Sequence, residues 1–151
     1  MTHPNEAYQQ WLEHPEDFKL LERIPFTQKS AQWPLPLFDP VGDEIEMVIL
    51  DTETTGLSAA DDAIIELGMV KLMYSKSLNR ITSIEDVISV YEDPQRPISA
   101  FVTRLTGITD EMVKDQHIDS AWVAEWLSNK PLIVAHNAQF DRPFFEELFQ
   151  N

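Results

Sequence analysis

The chain between residues 45 and 91 alternates apolar runs with short polar segments that favour turns. The apolar runs predict three strands, at residues 45–51, 63–72 and 87–91. Because only short segments separate these strands, we expect consecutive strands to pair with each other as an antiparallel meander. This part of the chain is therefore predicted to form a sheet.

After the third predicted strand, the spacing of apolar residues becomes helical. We predict helices at residues 99–105 and 121–127, the second with Ser120 as its N-cap, and a further helix from Phe140 onward. The apolar run at residues 132–135 lies between two of these helices and predicts a buried, parallel strand. This order of elements predicts an α/β fold with a mixed sheet.

The beginning of the chain has a different pattern. Residues 5–24 carry apolar side chains at helical spacing, whereas residues 25–43 contain four prolines and have no clear period. We therefore divide the chain into an N-terminal helical arm with a Pro-containing linker, residues 1–44, and a compact domain, residues 45–151.

The composition narrows the possible functions. The 26 acidic and 11 basic residues give a net charge of −15, which makes the chain a poor general binder of phosphate backbones unless metal ions supply positive charge. The absence of cysteine excludes disulfides, thiolate metal sites and cysteine nucleophiles. No run is apolar enough to span a membrane and no secretory signal is present, so we predict a cytoplasmic protein without a membrane partner.

Carboxylates follow two of the predicted strands. Asp51 and Glu53 come at the end of the first strand, and a spacing of two places both side chains on one face of it. Two neighbouring like charges are costly unless a cation neutralises them. Asp141 comes shortly after the strand at residues 132–135 and provides a third carboxylate. The pattern predicts a site for divalent metal ions.

Four segments occur in an order that is typical of one enzyme family. Residues 51–57 read DTETTGL, residues 64–68 read IIELG, residues 104–109 read RLTGIT and residues 136–141 read HNAQFD. Together they resemble the DEDD-type 3′→5′ exonucleases, the family that includes the proofreading epsilon subunit of bacterial DNA polymerase III. The resemblance covers residues 45–149.

The resemblance implies a ribonuclease-H-like fold, in which helices flank a central mixed sheet. It also implies hydrolysis of nucleotides from DNA 3′ ends, of the proofreading or repair type, by a mechanism that uses two Mg²⁺ or Mn²⁺ ions. The catalytic and metal-binding residues implied are Asp51, Glu53 and Asp141. The substrate-binding residues implied are Thr54, Thr55, Gly56, Leu57, Thr106, Asn137 and Phe140. The partners implied are single-stranded DNA 3′ ends and a DNA polymerase subunit.

Several alternatives stay open at this point. Glu66 either lies near the metal ions or faces solvent, and Asn137 either contacts the substrate strand or caps the last helix. The substrate sugar can be deoxyribose or ribose, and the subclass, His-type or Tyr-type, is not determined.

Members of the family also carry a third motif, a His or Tyr shortly before a fourth Asp. Residues 142–151 contain no such motif. We therefore expect the fold to be incomplete at its C-terminus, and the apolar sheet surface left exposed to favour self-association. The alternative to an active exonuclease is a catalytically inactive truncated remnant, or a fragment that binds a partner.

Overall fold

The computed structural model describes Glu13 and residues 32–150. The chain divides into two compact units, residues 1–31 and residues 32–151, and the strands and helices named here belong to the second. The helical segments predicted within residues 5–24 lie outside the described residues, except for Glu13. The predicted division between residues 44 and 45 stays a prediction.

Five strands of the described part form one sheet, in the order β1-β4-β3-β2-β5. β2 pairs with β5 in parallel, and all other neighbours are antiparallel. The predicted meander and the predicted parallel strand are therefore both confirmed, and the sheet is mixed. The strands are β1 (Leu35–Pro36), β2 (Glu44–Thr54), β3 (Ile64–Ser75), β4 (Arg80–Tyr91) and β5 (Leu132–Ala135).

Four helices accompany the sheet in the described residues. The first begins at an N-cap, Ser99, whose side chain accepts a hydrogen bond from the backbone of Val102, and it ends at Gly107, which has a φ of +81°. Only glycine adopts this left-handed conformation without steric cost. The helices are α1 (Ala100–Thr106), α2 (Asp110–Val113), α3 (Ser120–Trp126) and α4 (Ala138–Glu147).

Several elements differ from the sequence-based expectation. β2 and β3 each extend three residues past their predicted ends, to Thr54 and Ser75. β4 begins seven residues earlier than predicted, at Arg80, because it pairs with β3 down to Ser75. A short strand, β1, lies in the segment predicted to be irregular and pairs with β4. Asp119, rather than Ser120, is the N-cap of α3, since its carboxylate accepts hydrogen bonds from the backbone of the following turn.

The main core lies between one face of the sheet and the helices α3 and α4. Side chains alternate along β2, so every second residue points to this covered face. Phe144 of α4 and Val123 of α3 pack against these strand residues and are themselves buried. The buried members of this cluster are Val48, Leu50, Ile64, Leu67, Met69, Ile118, Val123, Phe144 and Phe145.

A second cluster surrounds Ile65 at the beginning of β3. Ile65 has no partner in the register between β2 and β3, because the pairing shifts at this point. Its fully buried side chain packs with residues of α1, α2 and the adjoining turns, namely Ile98, Val102, Ile108 and Val113. The irregularity at Ile65 thus attaches α1 and α2 to the end of the sheet where β2 finishes.

β5 is less covered than predicted. Its side chains were expected to be buried, but Leu132 is 53% exposed, and Ile133 and Val134 are exposed as well. Among the described strands β5 pairs only with β2, so its second edge is open. The prediction of a buried strand was therefore wrong for these residues, although the prediction of parallel pairing was right.

The helices of the described part are all short. None of them is long and apolar enough to cross a membrane.

Candidate active site

β2 carries the two carboxylates of the first motif at its C-terminal end. Thr52 and Thr54 are buried on the covered face, whereas Asp51 is exposed and Glu53 is half-buried on the opposite face. The strand alternation predicted from the sequence is therefore present, and it directs both carboxylates to the same side. Glu66 of β3 lies directly opposite Glu53 in the antiparallel register.

Asp141 reaches the same region from α4. Its side chain is only 4% exposed. Its Oδ1 atom accepts hydrogen bonds from the backbone N–H of Thr52 at 3.1 Å and from the Thr52 hydroxyl at 2.9 Å. Ala135, the last residue of β5, pairs with Leu50 of β2. Asp141 binds Thr52, which lies two residues further along β2. The end of β5 thus leaves room for a carboxylate beside β2.

The carboxylates interact electrostatically. Partial burial is the main cause that raises the pKa of Asp51, and the charges of Asp141 and Glu66 add to it, while His136 acts in the opposite direction. Partial burial also raises the pKa of Glu53, and the charges of Asp51, Glu66 and Asp141 raise it further. The three predicted residues and Glu66 therefore form one negatively charged cluster.

The cluster has the donor chemistry that a hard divalent cation requires, because carboxylate oxygens are the usual ligands of Mg²⁺ and Mn²⁺. A bound cation would also relieve the repulsion that raises the pKa values of Asp51 and Glu53. In the described residues, however, no three His, Cys, Asp or Glu side chains converge closely enough to hold a metal ion as they stand. Metal binding would therefore require carboxylate side chains of the cluster to rearrange.

The loop that connects β2 and β3, residues 55–63, follows the first motif directly. Its two ends are joined by a hydrogen bond from the N–H of Thr55 to the carbonyl of Ala63, at 2.9 Å. The Thr55 hydroxyl accepts from the N–H of Ala63 and from Arg96, and donates to Asp62. A hydroxyl has one proton and two lone pairs, so these three bonds use its whole capacity.

Three of the predicted substrate-binding residues line one cavity. Leu57, Asn137 and Phe140 contribute to a cavity of about 260 Å³ between the loop and the beginning of α4. Leu57 is 86% exposed, and Asn137 stands at the N-cap of α4 without a side-chain capping bond. Asn137 therefore occupies the N-cap position, but its side chain does not cap the helix. Phe140 packs against Phe144 and is partly buried against the main core cluster.

The remaining predicted substrate residues have internal contacts. The Thr54 hydroxyl donates to the carbonyl of Gly56 at 2.5 Å. The Thr106 hydroxyl donates to the carbonyl of Val102 and accepts from the N–H of Ile108, so it closes the end of α1. Thr106 is not among the residues that line the 260 Å³ cavity.

Four residues with a place in this region were missed or left open by the sequence analysis. Glu66 stood between two interpretations, and the register now puts it beside Glu53. Thr52 gave no signal of its own, although it holds Asp141. Asp62 lies outside the four motif segments, yet it binds Thr55 and Ser58 within the loop. Arg96 belongs to no motif.

Comparison with protein-family models shows to which family the chain belongs. The RNase T family model, described as "Exonuclease", matches residues 48–149, which is more than half of the chain. The chain belongs to the exonuclease family. The predicted relationship is confirmed, and the matched segment contains both carboxylate motifs.

Curated relatives of this exonuclease domain are DNA polymerases. The PolC-type DNA polymerase III of Caldanaerobacter subterraneus subsp. tengcongensis is 42% identical over 105 residues, which are 68% of this chain and 7% of the polymerase. The PolC-type enzyme of Halalkalibacterium halodurans is 36% identical over 129 residues, which are 84% of this chain and 8% of the polymerase. The chain thus spans less than a tenth of the length of these relatives.

Solved structures of exonucleases have the same fold. Exonuclease I of E. coli in complex with a dT13 oligonucleotide superposes with a TM-score of 0.53 at 19% identity, over 70% of this chain and 23% of that chain. A product-bound structure of exonuclease I gives a TM-score of 0.51 at 18% identity, over 70% of this chain and 25% of that chain. The predicted fold class, a ribonuclease-H-like mixed sheet with flanking helices, is therefore confirmed. None of the comparisons supports an inactive remnant over an exonuclease domain.

Proposed function

We propose that this exonuclease-family domain removes nucleotides from the 3′ ends of DNA by hydrolysis. The observation that carries the proposal is the cluster at the end of β2, where Asp51 and Glu53 share one face and Asp141 is held against Thr52. Carboxylates whose pKa is raised by burial and by neighbouring negative charges, as for Asp51 and Glu53, are typical of sites built for a charged ligand.

Divalent cations are the ligands that fit this cluster. Asp51, Glu53 and Asp141 would hold them, and the ions would supply a water molecule that is nucleophilic near neutral pH, together with charge stabilisation of the phosphoryl oxygens. Asp141 is kept in place by the two hydrogen bonds from Thr52. Burial of Asp141 excludes water from one side of the cluster, which strengthens electrostatic interactions there.

We assign the last nucleotide to the cavity that Leu57, Asn137 and Phe140 line. Leu57 offers an exposed apolar side chain on which a base can pack, and Asn137 offers an amide whose capping role is not used. We assign substrate contacts to Leu57, Asn137 and Phe140, and to the backbone of the loop from Thr54 to Gly56. Thr106 would contact the substrate only from the end of α1.

Single-stranded DNA is the substrate that we propose. The exonuclease I structure with the same fold contains a dT13 oligonucleotide, which supports a DNA strand as ligand of this fold. The PolC-type relatives support a replication setting, with a DNA polymerase subunit or domain as partner and a cytoplasmic location. Self-association through the open edge of β5 stays part of the proposal, since Leu132 and its neighbours are exposed.

The test is the hydrolysis of a 5′-labelled single-stranded DNA oligonucleotide with Mn²⁺ near neutral pH. We expect a ladder of products that shorten from the 3′ end, and we expect no ladder with the double variant Asp51→Asn, Glu53→Gln. A matched control, Glu125→Gln with Glu147→Gln, changes the net charge equally at two exposed positions and should keep the ladder. Absence of 3′ shortening by the unmodified chain, or shortening that survives the first variant, would contradict the proposal.

A further inference from the structure

Arg96 connects the segment after β4 with the loop after β2. Its Nη1 atom donates to the carbonyl of Asp61 at 2.8 Å. Its Nη2 atom donates to the hydroxyl of Thr55 at 2.7 Å and to Oδ1 of Asp62 at 3.3 Å. One guanidinium group thus binds Thr55 at the beginning of the loop of residues 55–63, and Asp61 and Asp62 near the end of the same loop. A planar fork of donors is suited to such a role, whereas an ammonium group is not.

Asp62 extends this network to the middle of the loop. Its carboxylate accepts from the hydroxyl of Thr55 at 3.2 Å and from the N–H of Ser58 at 3.1 Å. The backbone of Gly56 lies so close to the carboxylate that a Cβ atom at this position would clash with it. The conformation at Gly56 therefore depends on where Asp62 is held, and Arg96 is one of the groups that hold it.

The segment that carries Arg96 is itself fixed. The carboxylate of Asp93 accepts hydrogen bonds from the N–H of Gln95 at 2.8 Å and from the N–H of Asp115 at 3.0 Å. On the other side of Arg96, the N–H of Ile98 donates to Asp110 at 2.8 Å, and the Ile98 side chain is buried in the second core cluster. Arg96 is therefore anchored in the part of the fold that contains α1 and α2.

We propose that Arg96 is a positioning residue for the substrate, because it holds the loop of residues 55–63 in the shape that presents Gly56 and Leu57 to the 3′-terminal nucleotide. This inference rests on the proposed function. The Thr55 hydroxyl has no free hydrogen-bonding capacity, so its part is to receive Arg96 and Asp62 rather than to bind the substrate itself. Arg96 acts through these residues and supplies no group to the reaction.

The first measurement is amide hydrogen exchange of the loop, which does not depend on hydrolysis. In Arg96→Gln we expect the amides of Thr55, Ser58 and Ala63 to exchange about tenfold faster or more than in the unmodified protein, because their partners lose a charged anchor. Arg80→Gln is the matched control. Arg80 is an exposed arginine at the opposite end of β4, and its removal should leave the loop amides unchanged.

The second measurement is the binding of a labelled single-stranded DNA whose 3′-terminal linkage is a phosphorothioate, which slows hydrolysis. We expect Arg96→Gln to weaken binding of this DNA about tenfold. Its affinity for Mn²⁺ should stay unchanged, since no hydrogen bond or ion pair of the described residues joins Arg96 to Asp51 or Glu53. Arg96→Lys keeps the charge but not the fork of donors, and it should recover only a small part of the lost affinity.

Each other outcome overturns the inference. Unchanged exchange in the loop would show that Arg96 does not hold it. Faster exchange with unchanged DNA affinity would make Arg96 a purely structural residue, and weaker DNA binding with unchanged exchange would make it a direct ligand of the DNA. If the unmodified protein binds no DNA, both this inference and the proposed function fail. The exchange result then shows separately whether Arg96 holds the loop of residues 55–63.

Discussion

The bond between the Thr52 hydroxyl and Asp141 joins α4 to β2, and one substitution removes it. Thr52→Val replaces the hydroxyl by a methyl group of similar size, so that Asp141 loses the bond at 2.9 Å but keeps the one from the Thr52 N–H at 3.1 Å. Both side chains are buried, with Thr52 5% and Asp141 4% exposed. Water therefore has little access to replace the lost donor.

The expected magnitude follows from the charge of the acceptor. A hydrogen bond to a charged group contributes about 1.5–3 kcal/mol to stability, compared with about 0.5–1.5 kcal/mol for a neutral pair. Thr82 provides a matched control in the same sheet, because it is 2% exposed and its hydroxyl donates to the neutral carbonyl of Met73 at 3.3 Å. We expect Thr52→Val to cost about 1–2 kcal/mol more than Thr82→Val.

Urea unfolding followed by circular dichroism measures both costs, provided that the slope of the transition is the same for the three proteins. Thr52→Val should lower the free energy of unfolding by about 1.5–3 kcal/mol, and the melting temperature by about 3–10 °C. If Thr52→Val costs no more than Thr82→Val, Asp141 does not depend on the Thr52 hydroxyl, and our explanation of how α4 delivers a carboxylate to β2 is wrong.

Further predictions concern the charges, the loop and the core. The raised pKa values of Asp51 and Glu53 mean that the folded protein keeps protons which the unfolded chain has already released, so stability falls as the pH rises through the ordinary carboxyl range. Asp51→Asn with Glu53→Gln should therefore raise the melting temperature of the metal-free protein near neutral pH by up to about 4 °C, and a scan well below pH ~4 should show no gain; an equal gain at both pH values would refute this. Gly56→Ala should lower stability by about 1–3 kcal/mol in urea unfolding because the new methyl group meets Asp62, and in an Asp62→Ala background it should cost clearly less; equal costs in both backgrounds would contradict the clash. Phe144→Ala should cost about 3–5 kcal/mol in the same assay, since Phe144 is buried between α4 and the sheet; a cost below about 1 kcal/mol would mean that α4 is not packed as described.

Much of the fold could be predicted because the controlling interactions are local in sequence. The meander and the last helix, which was predicted from Phe140 and begins at Ala138, follow from apolar periodicity and turn chemistry. The same-face arrangement of Asp51 and Glu53 follows from strand geometry alone. These features need no knowledge of which distant residues come together.

The parts that could not be predicted depend on distant contacts. Thr52 and Asp141 are 89 positions apart, and Arg96 is 41 positions from Thr55, so no local pattern reports either bond. The exposure of β5 was mispredicted for a related reason, because an apolar run indicates a strand but not which neighbours cover it.

A calorimetric titration of the purified chain with Mn²⁺ measures whether the carboxylates at the end of β2 bind divalent cations. We predict saturable binding that is lost in Asp51→Asn with Glu53→Gln and retained in Glu125→Gln with Glu147→Gln, which changes the net charge by the same amount elsewhere on the surface. No saturable binding by the unmodified chain, or equal binding by both double variants, would contradict cation binding by these carboxylates.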